Sequence, residues 1–262
     1  ITGIPINSDE TVYFGVIADD AADASAVIPN FNRAREKFLE YDLIKLIITL
    51  DTSDAPNVKI ITALPLEFGP GGEMAMMQGR KPEPYVVYSQ MQEFFNLEMM
   101  AADFTWIAED TDVLVIAHPP ALSEGQLFAI EQYILKGGKA IVMLDPYAEA
   151  MASTQVSMHQ GPMSSALGPL LESWGVAIPE GQVIGDKTLA QRISMGGYGS
   201  DAVKDYLLWL AINKTFLSQS DVVTGTLTSL NIASSGVIDT LQGGSTTVTP
   251  LVSSSANAML YP

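Results

Sequence analysis

Two short apolar runs with an amphipathic segment between them give the clearest hydrophobic pattern in the chain. Residues 113–117 and 140–144 are apolar and rich in β-branched side chains, which is typical of parallel strands covered on both faces. The segment between them places Leu127, Ile130 and Ile134 on one helical face. The pattern therefore predicts a strand, a helix and a second strand, joined as a right-handed parallel crossover.

The ends of this helix are marked in the sequence. Ser123 followed three residues later by Gln126 has the spacing of a capping box, in which each residue satisfies the other's free backbone N–H. Gly137 and Gly138 follow the last turn, where glycine commonly ends a helix. The helix is therefore predicted between Ser123 and Gly137.

Upstream segments continue the alternation of strand and helix, which predicts an α/β fold with a mostly parallel sheet flanked by helices. In the helix over residues 38–50, the residues at core-facing spacing are Leu39, Leu43, Leu46, Ile47 and Leu50. Residues 69–84 are rich in Gly and Pro and predict a long exposed loop. The other predicted upstream elements are strands over 11–18, 58–64 and 97–100 and a helix over 85–96.

Beyond residue 154 the pattern is looser, so we divide the chain into a core over residues 1–154 and a C-terminal extension over 155–262. The extension either forms a separate subdomain or completes the first sheet. Its predicted elements are helices over 167–174 and 201–216, an extended segment over 182–184, and edge strands over 222–227 and 247–252.

Composition excludes several classes of function. The 262 residues carry a formal net charge of −17, which repels nucleic acid and anionic lipid headgroups. Cysteine is absent, so thiol catalysis, disulfides and cysteine-ligated metals are excluded. No run reaches the roughly 18 apolar residues that a membrane-spanning helix needs. With 47% hydrophobic residues, the chain has enough apolar side chains for a full core.

Four segments carry a resemblance to a known family. The chain is similar to the auxiliary components of uncharacterised ABC-type transport systems, best known from bacterial gliding motility, and more distantly to an intraflagellar transport subunit and to class I glutamine amidotransferases. The resemblance implies a flavodoxin-like or amidotransferase-like sheet with additional C-terminal strands and helices. The matching segments are VYFGVIA (12–18), FLEYDL (38–43), the strand–helix–strand unit with its HP, LSE, IEQYILKGG and LDP elements (112–146), and LLESWGV (170–176) followed by Gly185 and Asp186.

The same resemblance implies a location and partners. Family members of this type are extracytoplasmic domains that are anchored to the inner membrane and work beside a permease and an ATPase. The sequence begins at Ile1 rather than methionine and contains no membrane-spanning run. We therefore expect the anchors to lie outside this sequence, on a protein that faces the periplasm.

The likeness to amidotransferases also bears on catalysis. In those enzymes a GGK-like turn leads into a strand that ends on a nucleophilic cysteine, and the matching residues here are Gly137, Gly138 and Lys139, with Asp145 at the nucleophile position. A carboxylate is a weak acyl-transfer nucleophile, and Pro146 removes an amide donor that an oxyanion site could use. The sequence thus predicts that the scaffold is kept without the thiol chemistry.

Polar residues follow several predicted strands. Asp19, Asp20, His118 and Asp145 come after strands whose carboxyl ends meet at one edge of a parallel sheet, where ligands usually bind. Three carboxylates near an imidazole could hold Mg²⁺ or Ca²⁺ or transfer protons. Their spacing is not a metal motif, however, and Asp or Asn before Pro commonly begins a turn. We therefore favour structural roles and predict neither a metal nor a cofactor.

Glu40 and Asp42 lie in the helix that carries FLEYDL. They are either solvated residues on an outer face or part of a surface that docks a partner. Taken together, the sequence predicts a non-enzymatic extracytoplasmic domain of an ABC transporter auxiliary subunit that mediates protein or substrate interaction. The alternatives are a periplasmic domain that binds a small solute at the edge formed by Asp19, His118 and Asp145, or a divergent hydrolase that uses a metal-bound water.

Overall fold

The computed structural model describes residues 2–5, 11–19, 25–50, 55–153, 162–194, 203–244 and 246–262. Its N-terminal part has two antiparallel hairpins and a helix. The first hairpin pairs β1 with β2, and the second pairs β3 with β4. The elements are β1 (Gly3–Pro5), β2 (Thr11–Tyr13), β3 (Val16–Asp19), β4 (Ser25–Ile28) and α1 (Leu39–Leu50).

The single strand predicted over residues 11–18 is wrong. Phe14 and Gly15 interrupt it, and its two halves belong to different hairpins instead of the parallel sheet. A side chain at Gly15 would approach the carbonyl oxygen of Pro29 to 2.8 Å, so the backbone is too close there for any other residue. The helix predicted over 38–50 is confirmed, although Ile47 on its predicted core face is 65% exposed and only Leu46 is buried.

A four-stranded parallel sheet in the order β6-β5-β7-β8 forms the centre of the molecule, which confirms the α/β prediction. Leu114 and Ile116 pack on the face covered by α4, while Val115 and Ala117 pack on the face covered by α3. The elements are β5 (Asn57–Thr62), α2 (Gly72–Met77), α3 (Val86–Gln92), β6 (Asn96–Met99), β7 (Val113–Ala117), α4 (Glu124–Leu135) and β8 (Lys139–Met143).

Helix α4 begins and ends as its sequence predicts. The hydroxyl of Ser123 accepts from the backbone N–H of Gln126 at 3.3 Å, and the Gln126 side chain accepts from the N–H of Ser123 at 2.9 Å. At the other end, the N–H of Gly137 donates to Ile134 and that of Gly138 donates to Tyr133. Gly137 has φ of 94°, the left-handed conformation that this type of helix end requires.

Strand β8 lies at one edge of the sheet, and β7 is its only strand partner within the described part of the chain. Its side chains alternate between the two faces. Val142 packs against the core beside α4, whereas Ile141 and Met143 are 52% and 53% exposed. The short helix α3 covers the centre of this face but leaves these two side chains uncovered.

The C-terminal part forms small antiparallel sheets of its own among the described residues: β11-β12-β13, β10-β15 and β9-β14. Three of its predicted elements are wrong: residues 203–213 form a strand instead of a helix, 222–227 form turns, and 247–252 contribute only an isolated bridge between Leu217 and Val252. The elements are α5 (Glu149–Ser153), α6 (Pro169–Ser173), β9 (Val176–Ala177), β10 (Val183–Asp186), β11 (Ala190–Ser194), β12 (Val203–Asn213), β13 (Ser229–Ala233), β14 (Asp239–Thr240) and β15 (Ala258–Tyr261).

The predicted loop over residues 69–84 is interrupted by α2, so it is not irregular throughout. Within the described residues, every helix falls short of the length and apolarity that crossing a bilayer requires.

Candidate functional site

The carboxyl ends of β7 and β8 bring His118 and Asp145 together. The backbone N–H of His118 donates to Met143 at 2.8 Å, and its carbonyl oxygen accepts from Ala63 at 2.9 Å, so the ladder of the sheet continues through His118. His118 has φ of 45°, a left-handed conformation that is uncommon for a residue other than glycine. This turn directs the chain away from the sheet immediately before the two prolines, Pro119 and Pro120.

His118 is 97% buried, since only 3% of its surface is exposed. Its Nε2 lies 2.9 Å from the carbonyl oxygen of Pro162, and because a carbonyl oxygen only accepts, Nε2 carries the donated proton. Nδ1 is buried and has no hydrogen-bond partner among the described residues. The imidazole thus holds the backbone at Pro162 over the sheet edge.

Asp145 holds the same segment through its backbone. Its N–H donates to the Ser165 hydroxyl at 2.8 Å, and its carbonyl oxygen accepts from the N–H of Ser165 at 2.9 Å. Its carboxylate accepts from the N–H of Tyr147 at 3.0 Å, which closes a turn of the kind that aspartate often begins. The segment over residues 162–165 is therefore fixed at two points across the ends of β7 and β8.

Burial raises the pKa of the Asp145 carboxyl above its usual value. The hydrogen bond from Tyr147 and the nearby His118 oppose this shift, whereas the charge of Glu149 adds to it. A raised pKa beside an imidazole is compatible with acid–base chemistry. However, one carboxylate oxygen is already used in the turn, and the backbone of Asp145 is hydrogen-bonded to Ser165.

The parallel sheet does not include Asp19, which the sequence also places at this edge. Asp19 ends β3, which pairs with β4 in a separate hairpin, so the reason for placing it beside His118 is wrong. Asp20 lies outside the described residues. Within the described ranges, no three His, Asp or Glu side chains come together as a metal ion would require.

Glu40 and Asp42 differ in their surroundings. Both oxygens of the Asp42 carboxylate accept from the Arg35 guanidinium, at 2.7 Å and 3.2 Å, and this pairing lowers the pKa of Asp42. Glu40 is exposed. It shares an outward face of α1 with Ile44, Ile47 and Ile48, which are 48%, 65% and 47% exposed. This face, the α1 stripe, combines one acidic and three apolar side chains.

Two carboxylates that sequence reasoning did not assign join distant parts of the chain through their hydrogen bonds. Asp186 is completely buried, and its oxygens accept from the backbone of Thr188, Leu189 and Ser255 and from the Ser255 hydroxyl. Burial favours a higher pKa for Asp186, but these four bonds outweigh it, and the pKa is lowered. The Gly-Asp pair at 185–186 was the available sequence signal, although no spacing pointed to Ser255.

Glu149 is the second of these carboxylates. Its Oε1 accepts from the Trp209 indole at 2.8 Å and from the Ser234 hydroxyl at 2.5 Å. Trp209 lies in β12 and Ser234 directly follows β13, so one side chain connects α5 at the sheet edge to the C-terminal strands. Nothing in the local sequence around Glu149 indicates these partners, which lie at least 60 residues away.

The fold is an α/β domain in which the segment over residues 162–165 lies against the carboxyl ends of β7 and β8. A family model described as an ABC-type uncharacterized transport system matches residues 55–262. The chain therefore belongs to this family of ABC transport auxiliary components, as its sequence motifs predict. No curated protein and no solved structure matches the chain.

Proposed function

We propose that the chain is a non-enzymatic, extracytoplasmic accessory domain that binds the permease and ATPase assembly of its ABC transport system. The family supports an accessory role in transport. The non-enzymatic part of the proposal is supported by one observation. His118 and Asp145 hold the segment over residues 162–165 against the sheet edge where enzymes of this fold class bind substrates.

The α1 stripe supports the binding part of the proposal. Exposed apolar side chains rimmed by charge are typical of protein interaction surfaces. In this proposal Glu40 and its isoleucine neighbours contact the permease, whereas Asp42 keeps α1 in place through Arg35. The periplasmic anchoring and the relation to gliding-type systems follow from the sequence resemblance and belong to the same proposal.

Co-purification tests the partner. The complete gene product is expressed with the permease and ATPase encoded beside it, and the complex is isolated through a tag on the ATPase. We expect Glu40→Lys to lower recovery of the auxiliary protein at least about tenfold, which corresponds to about 1.4 kcal/mol of binding free energy. Glu180→Lys, an equal charge change at another exposed position, is the matched control. Unchanged recovery of the Glu40 variant excludes this surface.

Thiol labelling tests the location. Because residues 1–262 contain no cysteine, Val222→Cys gives this part of the protein one thiol, at a residue that is 89% exposed, and the unsubstituted protein sets the background labelling. A membrane-impermeant maleimide should label this variant in cells whose outer envelope is opened and whose inner membrane is intact. Leu114→Cys, at a position with no exposed surface, is the unlabelled control. Labelling only after the inner membrane is broken contradicts the extracytoplasmic location.

A further inference from the structure

A cavity lies at the opposite edge of the sheet from His118, where β7 and β8 begin. Its volume is about 580 Å³, which is within the range of small-ligand sites. The loop before β7, the C-terminal half of α4 and the Gly137–Gly138 turn surround it. The Tyr133 hydroxyl lies 3.2 Å from the carbonyl oxygens of both Thr111 and Lys139, which ties these three parts together.

Two aromatic side chains face this cavity with most of their surface exposed. Trp106 is 67% exposed and Phe128 is 61% exposed, although large aromatic residues are usually covered. Trp106 does not project from a loose loop, because its neighbours Phe104 and Ile107 are buried in the core beneath α4. The fold thus presents an indole and a phenyl ring on well-anchored backbone.

Polar groups line the same cavity without partners of their own. Phe128, Gln132 and Lys136 are spaced four residues apart along α4 and therefore share one row of the helix. The side chains of Glu109, Gln132, Lys136 and Lys139 form no hydrogen bond or ion pair with any described residue. By contrast, Lys45 and Lys59 elsewhere on the molecule are paired with glutamates.

The charges around the cavity balance. Glu109, Asp112, Lys136 and Lys139 all line it, and none of these four side chains forms an ion pair among the described residues. A strongly anionic ligand would meet the two carboxylates, and a cationic ligand would meet the two ammonium groups. The lining therefore suits an uncharged ligand that both donates and accepts hydrogen bonds and has an apolar face.

We propose that this cavity binds a neutral carbohydrate. The partly positive C–H groups on one face of a sugar ring match the negative face of an aromatic ring. Sugar hydroxyls donate to Glu109 and accept from Lys136, Lys139 and the amide of Gln132. The proposal concerns a different edge from that of His118, and it stands or fails independently of the transporter partner.

Calorimetric titration of the purified chain with neutral oligosaccharides of glucose, N-acetylglucosamine, mannose and galactose tests the proposal. We expect saturable binding of at least one of them with a dissociation constant of about 1 mM or tighter. Trp106→Ala and Phe128→Ala should each weaken it at least about tenfold, whereas Trp106→Phe, which keeps a ring, should weaken it less. Tyr147→Ala removes an exposed aromatic at the opposite sheet edge and should have no effect.

Circular dichroism and the melting temperature establish that each variant is folded. Two further titrations, with inorganic phosphate and with an uncharged peptide rich in leucine, separate other ligand classes from carbohydrate. The proposal is overturned if the unaltered chain binds none of the oligosaccharides, or if oligosaccharide binding survives both aromatic substitutions. It is also overturned if phosphate or the peptide is the only ligand whose binding depends on Trp106.

Discussion

At the scale of single residues, two aspartates show how the same side chain has opposite energetic effects in one fold. Asp145 is partly buried with one backbone donor on its carboxylate, and its pKa is raised. Asp186 is fully buried with four donors, and its pKa is lowered. Ionised Asp145 therefore opposes folding, whereas ionised Asp186 favours it.

Asp186→Asn should destabilise the protein at pH 7 by about 2 kcal/mol or more, because an amide nitrogen would replace the oxygen that accepts from the N–H of Ser255. Since the folded pKa of Asp186 is lowered, its stabilising effect is present above the ordinary aspartate pKa and is lost as the pH falls through the folded pKa. Urea unfolding at pH 7 and at acidic pH measures the loss. If the substitution lowers the free energy of unfolding equally at both pH values, the predicted pH dependence is wrong.

Asp145→Asn should have the opposite effect on stability from Asp186→Asn. The folded pKa of Asp145 is raised, so the wild-type protein loses stability as the pH rises from the ordinary aspartate pKa through the folded one. Asparagine keeps the oxygen that accepts from Tyr147 and removes the buried charge. The variant should therefore melt at a higher temperature than wild type at pH 7, and the difference should shrink at low pH. If the variant melts at a lower temperature than wild type at pH 7, this prediction is wrong.

At the scale of elements, α4 is specified by short-range signals and β12 is not. The capping box at Ser123 and the glycines at 137 and 138 lie within one turn of the helix ends, so the sequence alone predicts them. Residues 206–212 are apolar at every position, and such a run suits either a helix or a strand. Pairing with β11 and β13 decides in favour of the strand, and Leu210 and Ile212 become its buried side.

Two glycines, one in the first turn of α4 and one just after its end, should respond in opposite ways to substitution by alanine. Gly137→Ala should cost about 1 kcal/mol, because Gly137 has φ of 94° and a methyl group is strained there even with open space around it. Gly125→Ala should add about 0.5–1 kcal/mol of stability, because Gly125 lies in the first turn and the nearest atom to an added methyl is 4.0 Å away. Chemical denaturation of both variants measures this difference, and effects of the same sign contradict it.

The candidate site was predictable only where it depends on the parallel sheet. His118 and Asp145 follow adjacent parallel strands, and their proximity follows from that order. Asp19 was misplaced because β3 resembles a parallel strand in composition but has an antiparallel partner only six residues further along the chain. The covering segment at 162–165 has no periodic pattern, and its contacts join residues 20 and 44 positions apart.

At the scale of the whole molecule, a few polar contacts connect the parallel sheet to the C-terminal strands. Glu149 binds Trp209 and Ser234, and Gly236 packs within van der Waals distance of Pro146, where an added methyl would lie 3.2 Å from the proline ring. These contacts join residues on the two sides of the division that the sequence predicts at residue 154.

Glu149→Ala should weaken this connection. It leaves the indole N–H of Trp209 and the buried Ser234 hydroxyl without their acceptor, at a cost of about 2–3 kcal/mol. In a background with Trp106→Phe and Trp174→Phe, where Trp209 is the one tryptophan left of three, we expect urea unfolding followed by fluorescence to begin at lower denaturant than unfolding followed by far-ultraviolet circular dichroism. Glu149→Gln, which keeps an acceptor oxygen, is the control and should lose less than half as much. Coincident transitions in the alanine variant contradict this role.

The uncovered side of β8 has a practical consequence for handling the purified chain. Among the described residues, β8 has no second strand partner and displays Ile141 and Met143. Such an edge is a template on which a second molecule can add a strand, and concentrated stocks should form soluble aggregates over time. A lysine in place of Met143 would put a charge on that edge and lengthen the shelf life of the sample without disturbing the core beneath α4.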